Sequence, residues 1–201
     1  MDMLYGNMLR LLVRRDSSKT MGLRGVTVKN MYNTKRMVVM AFCIAISIVL
    51  HMVESWLPLP LPVPGIKLGL ANIVSLLVLI IFDWRDAIYV GMIRAFLASL
   101  FSGVFLGPAF FMSISGAVGS ILAMAIAYRY WQRDFSLIGI SVIGAVVHNV
   151  VQMIVAAIVV SSISLLWYLP YLVLFALPTG VATGMIAIYF LAKAPQELYI
   201  K

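Results

Sequence analysis

Charge is scarce in this chain: 11% of its 201 residues are Asp, Glu, Lys or Arg, against roughly 25% in ordinary soluble domains. So little charge excludes a water-soluble globular protein. Cysteine is scarcer still. Cys43 stands alone, so neither an internal disulfide nor a multi-cysteine metal site is available, and no metal site is expected. P-loop, Gly-rich dinucleotide, HExxH, CxxC and nucleophile-elbow motifs are all missing, which leaves no expected catalytic residue and no permanently bound cofactor. Any ATP-driven work would fall to partner subunits.

What remains is 63% hydrophobic and arranged in runs of about 20 residues, the length that crosses a ~30 Å hydrocarbon core as helix. The alternating pattern of a barrel strand is missing. The expected fold class is therefore an all-α integral membrane protein with six transmembrane helices. The predicted spans are Met37–Leu57, Ile66–Phe82, Ala87–Leu106, Ala109–Ala127, Phe135–Val160 and Tyr168–Ala192. Proline at positions 58, 60, 62 and 64 makes the first connector stiff and extended, and Gly107-Pro108 is a tight break. Pro178 is placed to kink the last span.

The net charge of +8 does not point to nucleic acid, because eight of the fifteen Lys and Arg residues precede the first span. Residues 1–36 read as a flexible basic tail, with a basic surface helix on anionic lipid as the alternative; residues 193–201 form a second tail. Arg85, Arg129, Arg133, Lys193 and Lys201 fall on the same side as the basic N-terminus, while the opposite connectors carry neither Lys nor Arg. The positive-inside rule then makes both termini cytoplasmic, as expected of a multi-pass protein of a bacterial cell membrane.

A few polar groups have no topological explanation: His51 and Glu54 in the first span, Lys67 and Asn72 in the second, Arg94 in the third, and His148, Asn149 and Gln152 in the fifth. A charge at mid-helix costs about 3 kcal/mol on the insertion scale, so each needs an answering group. By depth all but Arg94, which lies seven residues into a span entering from the cytoplasm, fall from the midplane outward, and the spacings His51/Glu54 and His148/Gln152 put each pair on one helix face. Two imidazoles, an ammonium and amides against one carboxylate suit an anionic or carbonyl-rich ligand. The competing explanation is interhelical hydrogen bonding, or a snorkelling Lys67, and for Asn149 and Glu54 the two stand level. Arg94 either reaches back to Asp86 or Asp83 or forms the cationic floor of the pocket. Small-residue steps at Ala41/Ala45, Gly65/Gly69 and Gly180/Gly184 permit close helix approach. Gly180/Gly184 suits packing inside the bundle, and Ala41/Ala45 a docking membrane partner.

The run Pro64-Gly65-Ile66-Lys67-Leu68-Gly69-Leu70-Ala71-Asn72, with Arg94, His148-Asn149 and Gln152, resembles a bacterial family labelled both heptaprenyl diphosphate synthase component I and Gx transporter, over about Met37–Ala192. That family is similar to the substrate-binding S components of energy-coupling factor (ECF) transporters. The resemblance implies six helices, an outward-facing ligand cavity, and partnership with a coupling subunit and two ATPase subunits, the coupling subunit meeting Ala41 and Ala45. It also suggests a flavin, FAD or FMN, or another anionic aromatic solute. The expected function is a non-enzymatic solute-binding transport subunit. The alternative is a non-catalytic accessory subunit of heptaprenyl diphosphate synthase, since the chain lacks the aspartate clusters that hold magnesium around a diphosphate.

Overall fold

The computed structural model describes residues 25–56, 71–131 and 135–194, and the regular structure among them is all helical. Six α-helices follow in order: α1 Gly25–Trp56, α2 Asn72–Ile81, α3 Trp84–Phe101, α4 Pro108–Trp131, α5 Leu137–Val159 and α6 Leu169–Lys193, with a 3₁₀ segment at Ile163–Tyr168 before α6. Four helical stretches, Thr34–Glu54, Pro108–Trp131, Leu137–Val159 and Ile163–Lys193, are long and apolar enough to cross a membrane. This is a multi-pass helical membrane protein. The other two helices differ: α2 has 10 residues, and α3 carries Arg85, Asp86 and Arg94 within its 18.

The short α2 is the centre of the bundle. Apart from Asn72 and Ser75 its sequence, NIVSLLVLII, is apolar all round, and such a helix has to be surrounded. All ten of its residues are buried, and it packs against each of the other five helices. Around it the bundle has the polarity of a protein in lipid. Phe42, Ile126, Ile158, Leu174 and Met185 face outward, while Ser47, Asn72, Arg94, Ser120 and Gln152 are inside.

The first helix begins twelve residues earlier than the first span was expected to, at Gly25 instead of Met37. No proline interrupts positions 25–56, and the helical ladder continues until something breaks it. Residues 25–36 are therefore helical and continuous with α1. Arg36 on this extension forms an ion pair with Asp86 of α3. The start of α3 is also earlier than expected, because the Asp83 side chain accepts a hydrogen bond from the Trp84 N–H at 2.8 Å and caps the helix there. Ser136 caps α5 in the same way, accepting from the Gly139 N–H at 3.2 Å.

The GxxxG step of α6 packs inside the bundle, against α5. A Cβ built on Gly180 would lie 2.7 Å from the Val142 Cα, and one on Gly184 would lie 2.8 Å from the Ile138 Cα. Between the two glycines, the Thr183 and Ser141 hydroxyls share a hydrogen bond of 2.7 Å. Lys67, Gly65, Gly69, the proline connector and the terminal tail from residue 195 on lie outside the described residues.

Candidate functional site

The intramembrane polar residues come from four helices. On α1, Ser47, His51 and Glu54 are all buried, and their spacing of four and three residues puts them on one face. On α5, His148 and Gln152 are buried one turn apart, and both lie against α4. A Cβ at Gly116 would come within 2.6 Å of Gln152 Cγ and 3.0 Å of His148 Cε1. Glycine at 116 is what lets the imidazole and the amide sit between α4 and α5.

Asn72 opens α2. The residue before it, Ala71, offers no side-chain cap, so the first N–H groups of α2 receive none of the help that a Ser, Thr or Asp cap supplies. The helix is about 15 Å long at 1.5 Å per residue, half of a ~30 Å hydrocarbon core. Arg94 stands about 15 Å along α3 from the joint at Phe82 and Asp83, and so reaches the level of Asn72 in the packed α2–α3 pair. His148 is about 17 Å into α5 on the same measure, with Gln152 one turn beyond.

Arg94 does not pair with Asp86 or Asp83, the structural role weighed for it from sequence. Asp86 is taken by Arg36 and Asp83 caps α3; the remaining buried charged residue among the described ones is Glu54 of α1. The reason is the helical extension of α1, which brings Arg36 to the foot of α3 and leaves Arg94 for the interior. Asn149 faces away from this group, its amide donating to the Leu172 carbonyl at 3.2 Å. That bond ties α5 to the first turns of α6.

Several buried polar atoms in the group have no hydrogen-bond partner: both side-chain atoms of Asn72, Arg94 Nε and Gln152 Oε1. A buried unpaired polar atom costs about 1–3 kcal/mol, so each of these four is expensive to leave unanswered. The chemistry available is binding by hydrogen bonds. Among the described residues, no group of three or more His, Cys, Asp or Glu side chains is placed to hold a metal ion.

Sequence reasoning did not single out Gly116. Its signal is the run of small residues Ser113, Gly116, Ala117 and Ser120, spaced three and four apart and all buried. Gly116→Ala is expected to lower the melting temperature in detergent by about 2–4 °C, the equivalent of about 1 kcal/mol of overpacking. An increase, which helix propensity alone would give, would show that Gln152 and His148 simply swing aside. Ala41 and Ala45 are exposed on α1, on the half nearer Arg36 and beside the outward Phe42 and Ile46.

The family model described as heptaprenyl diphosphate synthase component I matches residues 43–190. No curated protein and no solved structure matches the chain.

Proposed function

The chain belongs to the heptaprenyl diphosphate synthase component I family, and from that premise we propose that it is the membrane-embedded subunit of such a synthase. Component I is a non-catalytic subunit. The observation that carries the reading is the family match, which runs from the middle of α1 through α6. Its physical logic is the product: each buried CH₂ of a prenyl tail is worth about 0.8 kcal/mol in an apolar environment, so a lengthening tail is best handed over at the bilayer. On this reading the protein crosses a bacterial cell membrane six times with both termini in the cytoplasm, and the catalytic component is its partner.

A second reading is favoured by the unpaired buried atoms of Asn72, Arg94 and Gln152. It makes the chain the solute-binding subunit of an ATP-driven transporter of the energy-coupling factor type, carrying a small anionic or aromatic solute such as a flavin. Lys67, Asn72, Arg94, His148 and Gln152 would hold the solute, and His51 and Glu54 would line its outer wall. A coupling subunit and two ATPase subunits would be its partners. In either assembly the exposed Ala41 and Ala45 are where another membrane helix or subunit can approach closely.

The test is purification of the full chain from its native membranes at low abundance, with identification of the proteins that accompany it. A stoichiometric soluble prenyl synthase supports the first reading; ATPase and coupling subunits support the second and refute the first. Ala41→Trp with Ala45→Trp is expected to abolish that association while leaving the protein folded. A double variant that keeps its partner removes this face from the interface.

A further inference from the structure

We propose that the end of the bundle carrying the α3–α4 and α5–α6 connectors is seated in the bilayer, with those connectors against lipid instead of water. The two share one end because α4 and α5 run antiparallel: Gly116 meets His148 and Gln152, and Gly144 meets Met124. Asp86 and its partner Arg36 mark the opposite end.

The first observation is what the connectors expose. Phe101 is 66% exposed, Leu106 63%, Ile163 81% and Trp167 80%, and bare apolar surface of this kind marks a site of contact with something other than water. No Asp, Glu, Lys or Arg occurs in residues 95–128 or 135–192, so neither connector offers water a charge. The opposite end exposes Asp83, Arg85, Arg129 and Lys193. The apolar surface of the connectors is continuous with the lipid-facing flanks of the helices, through Leu100 and Phe111 at the first and Tyr171 and Leu174 at the second. Trp167 and Tyr168 are of the residue types that collect where a membrane meets water.

The second observation is that the exposure is built in. The Phe105 ring folds back edge-on to Phe96 of α3 at 5.2 Å and to Phe110 of α4 at 5.1 Å, which fixes the turn around it. Leu106 takes a left-handed backbone with φ 60°, uncommon for any residue with a side chain, and that conformation holds the leucine outward. Acyl chains accept a side chain held there; water does not.

The third is length. From Arg85 to Phe101, α3 covers about 24 Å at 1.5 Å per residue, short of a ~30 Å hydrocarbon core. With Arg85 at the charged boundary, the turn after Phe101 begins inside the far edge of that core. Backbone at such a depth has to satisfy its own polar groups, and this turn largely does: the Gly103 N–H donates to the Leu100 carbonyl at 3.2 Å, Val104 to Ser99 at 3.0 Å and Gly107 to Val104 at 3.0 Å.

The test uses the full chain in nanodiscs, with Cys43→Ser as background and a nitroxide attached at Leu106→Cys, at Ile163→Cys or, for comparison, at Lys193→Cys. Power-saturation EPR compares collisions with oxygen, which partitions into lipid, and with a nickel chelate, which stays in water. The oxygen-to-nickel ratio is expected to be roughly tenfold higher at the two connector positions than at Lys193→Cys, because the bilayer core holds no water. A ratio equal to that of Lys193→Cys places the connectors in water and overturns the proposal. Few collisions with either reagent, the mark of a covering protein segment, overturns it as well. A second measurement leaves the connectors unaltered: with Trp56, Trp84 and Trp131 replaced by Phe, Trp167 is the one tryptophan left. Its fluorescence is expected to be quenched by brominated phospholipid and spared by iodide; the reverse overturns the proposal.

Discussion

Arg94→Met is expected to destabilise the protein severely, lowering its melting temperature in detergent by on the order of 10 °C, while Arg94→Met combined with Glu54→Gln recovers more than half of the loss. Arg94 is buried on α3, and Glu54 is buried on α1, a helix that packs against α3. Removing one member of a buried charge pair typically costs about 3–5 kcal/mol, because the other keeps its desolvation penalty without its compensation. At 2–4 °C per kcal/mol for a chain of this size, the expected shift follows. Methionine has a similar length to the aliphatic part of arginine, so loss of packing is a minor part of the effect. The double variant removes both charges, and replacing both is often nearly neutral. Additive losses in the two single variants would show that Glu54 and Arg94 act independently.

Arg94 also shows where the sequence stops being informative. Arg94 lies close in sequence to Asp83 and Asp86, and proximity in sequence favours pairing with them. The outcome was decided by Arg36, fifty residues from Asp86, and its access depends on α1 being helical well before the apolar run begins. Its polar residues hide that extension, because apolar periodicity, the main signal of helix, starts only near Met37. Asn149 is a similar case. An amide next to His148 reads as part of the same group, yet adjacent residues on a helix point about 100° apart, and the Leu172 carbonyl that accepts from it belongs to a neighbour known only once α5 and α6 are packed.

Other features were legible because a single physical cause fixes them. Helix order follows from runs of apolar residues broken at Asp83, Gly107-Pro108 and the polar stretch after Trp131. The burial of Asn72, Arg94, His148 and Gln152 follows from what lipid does to an outward polar group. The central place of α2 follows from its almost wholly apolar sequence.

The second large effect is expected at the α5–α6 seam. Gly180→Val is predicted to abolish recovery of monodisperse folded protein, and Gly184→Val to do the same, because in each case the obstacle is backbone. The Val142 Cα at 2.7 Å and the Ile138 Cα at 2.8 Å cannot rotate away as a side chain can, so the helices have to part by about an ångström to reach ordinary contact distance. Parting them stretches the Ser141–Thr183 hydrogen bond and the Asn149 bond to the Leu172 carbonyl, which lie along the same seam. In lipid, no hydrophobic force between helices makes up for lost contact, since the tails of the bilayer are as apolar as leucine. Gly119→Ala provides the comparison. Its Cβ meets only the Val151 side chain, at 2.9 Å, and that valine can adjust. Size-exclusion chromatography after detergent extraction should show a sharp peak for Gly119→Ala and aggregate or no protein for Gly180→Val. A sharp, thermally unchanged peak for Gly180→Val would mean that α6 does not approach α5 this closely, and the place of both helices in the bundle would need to be redrawn.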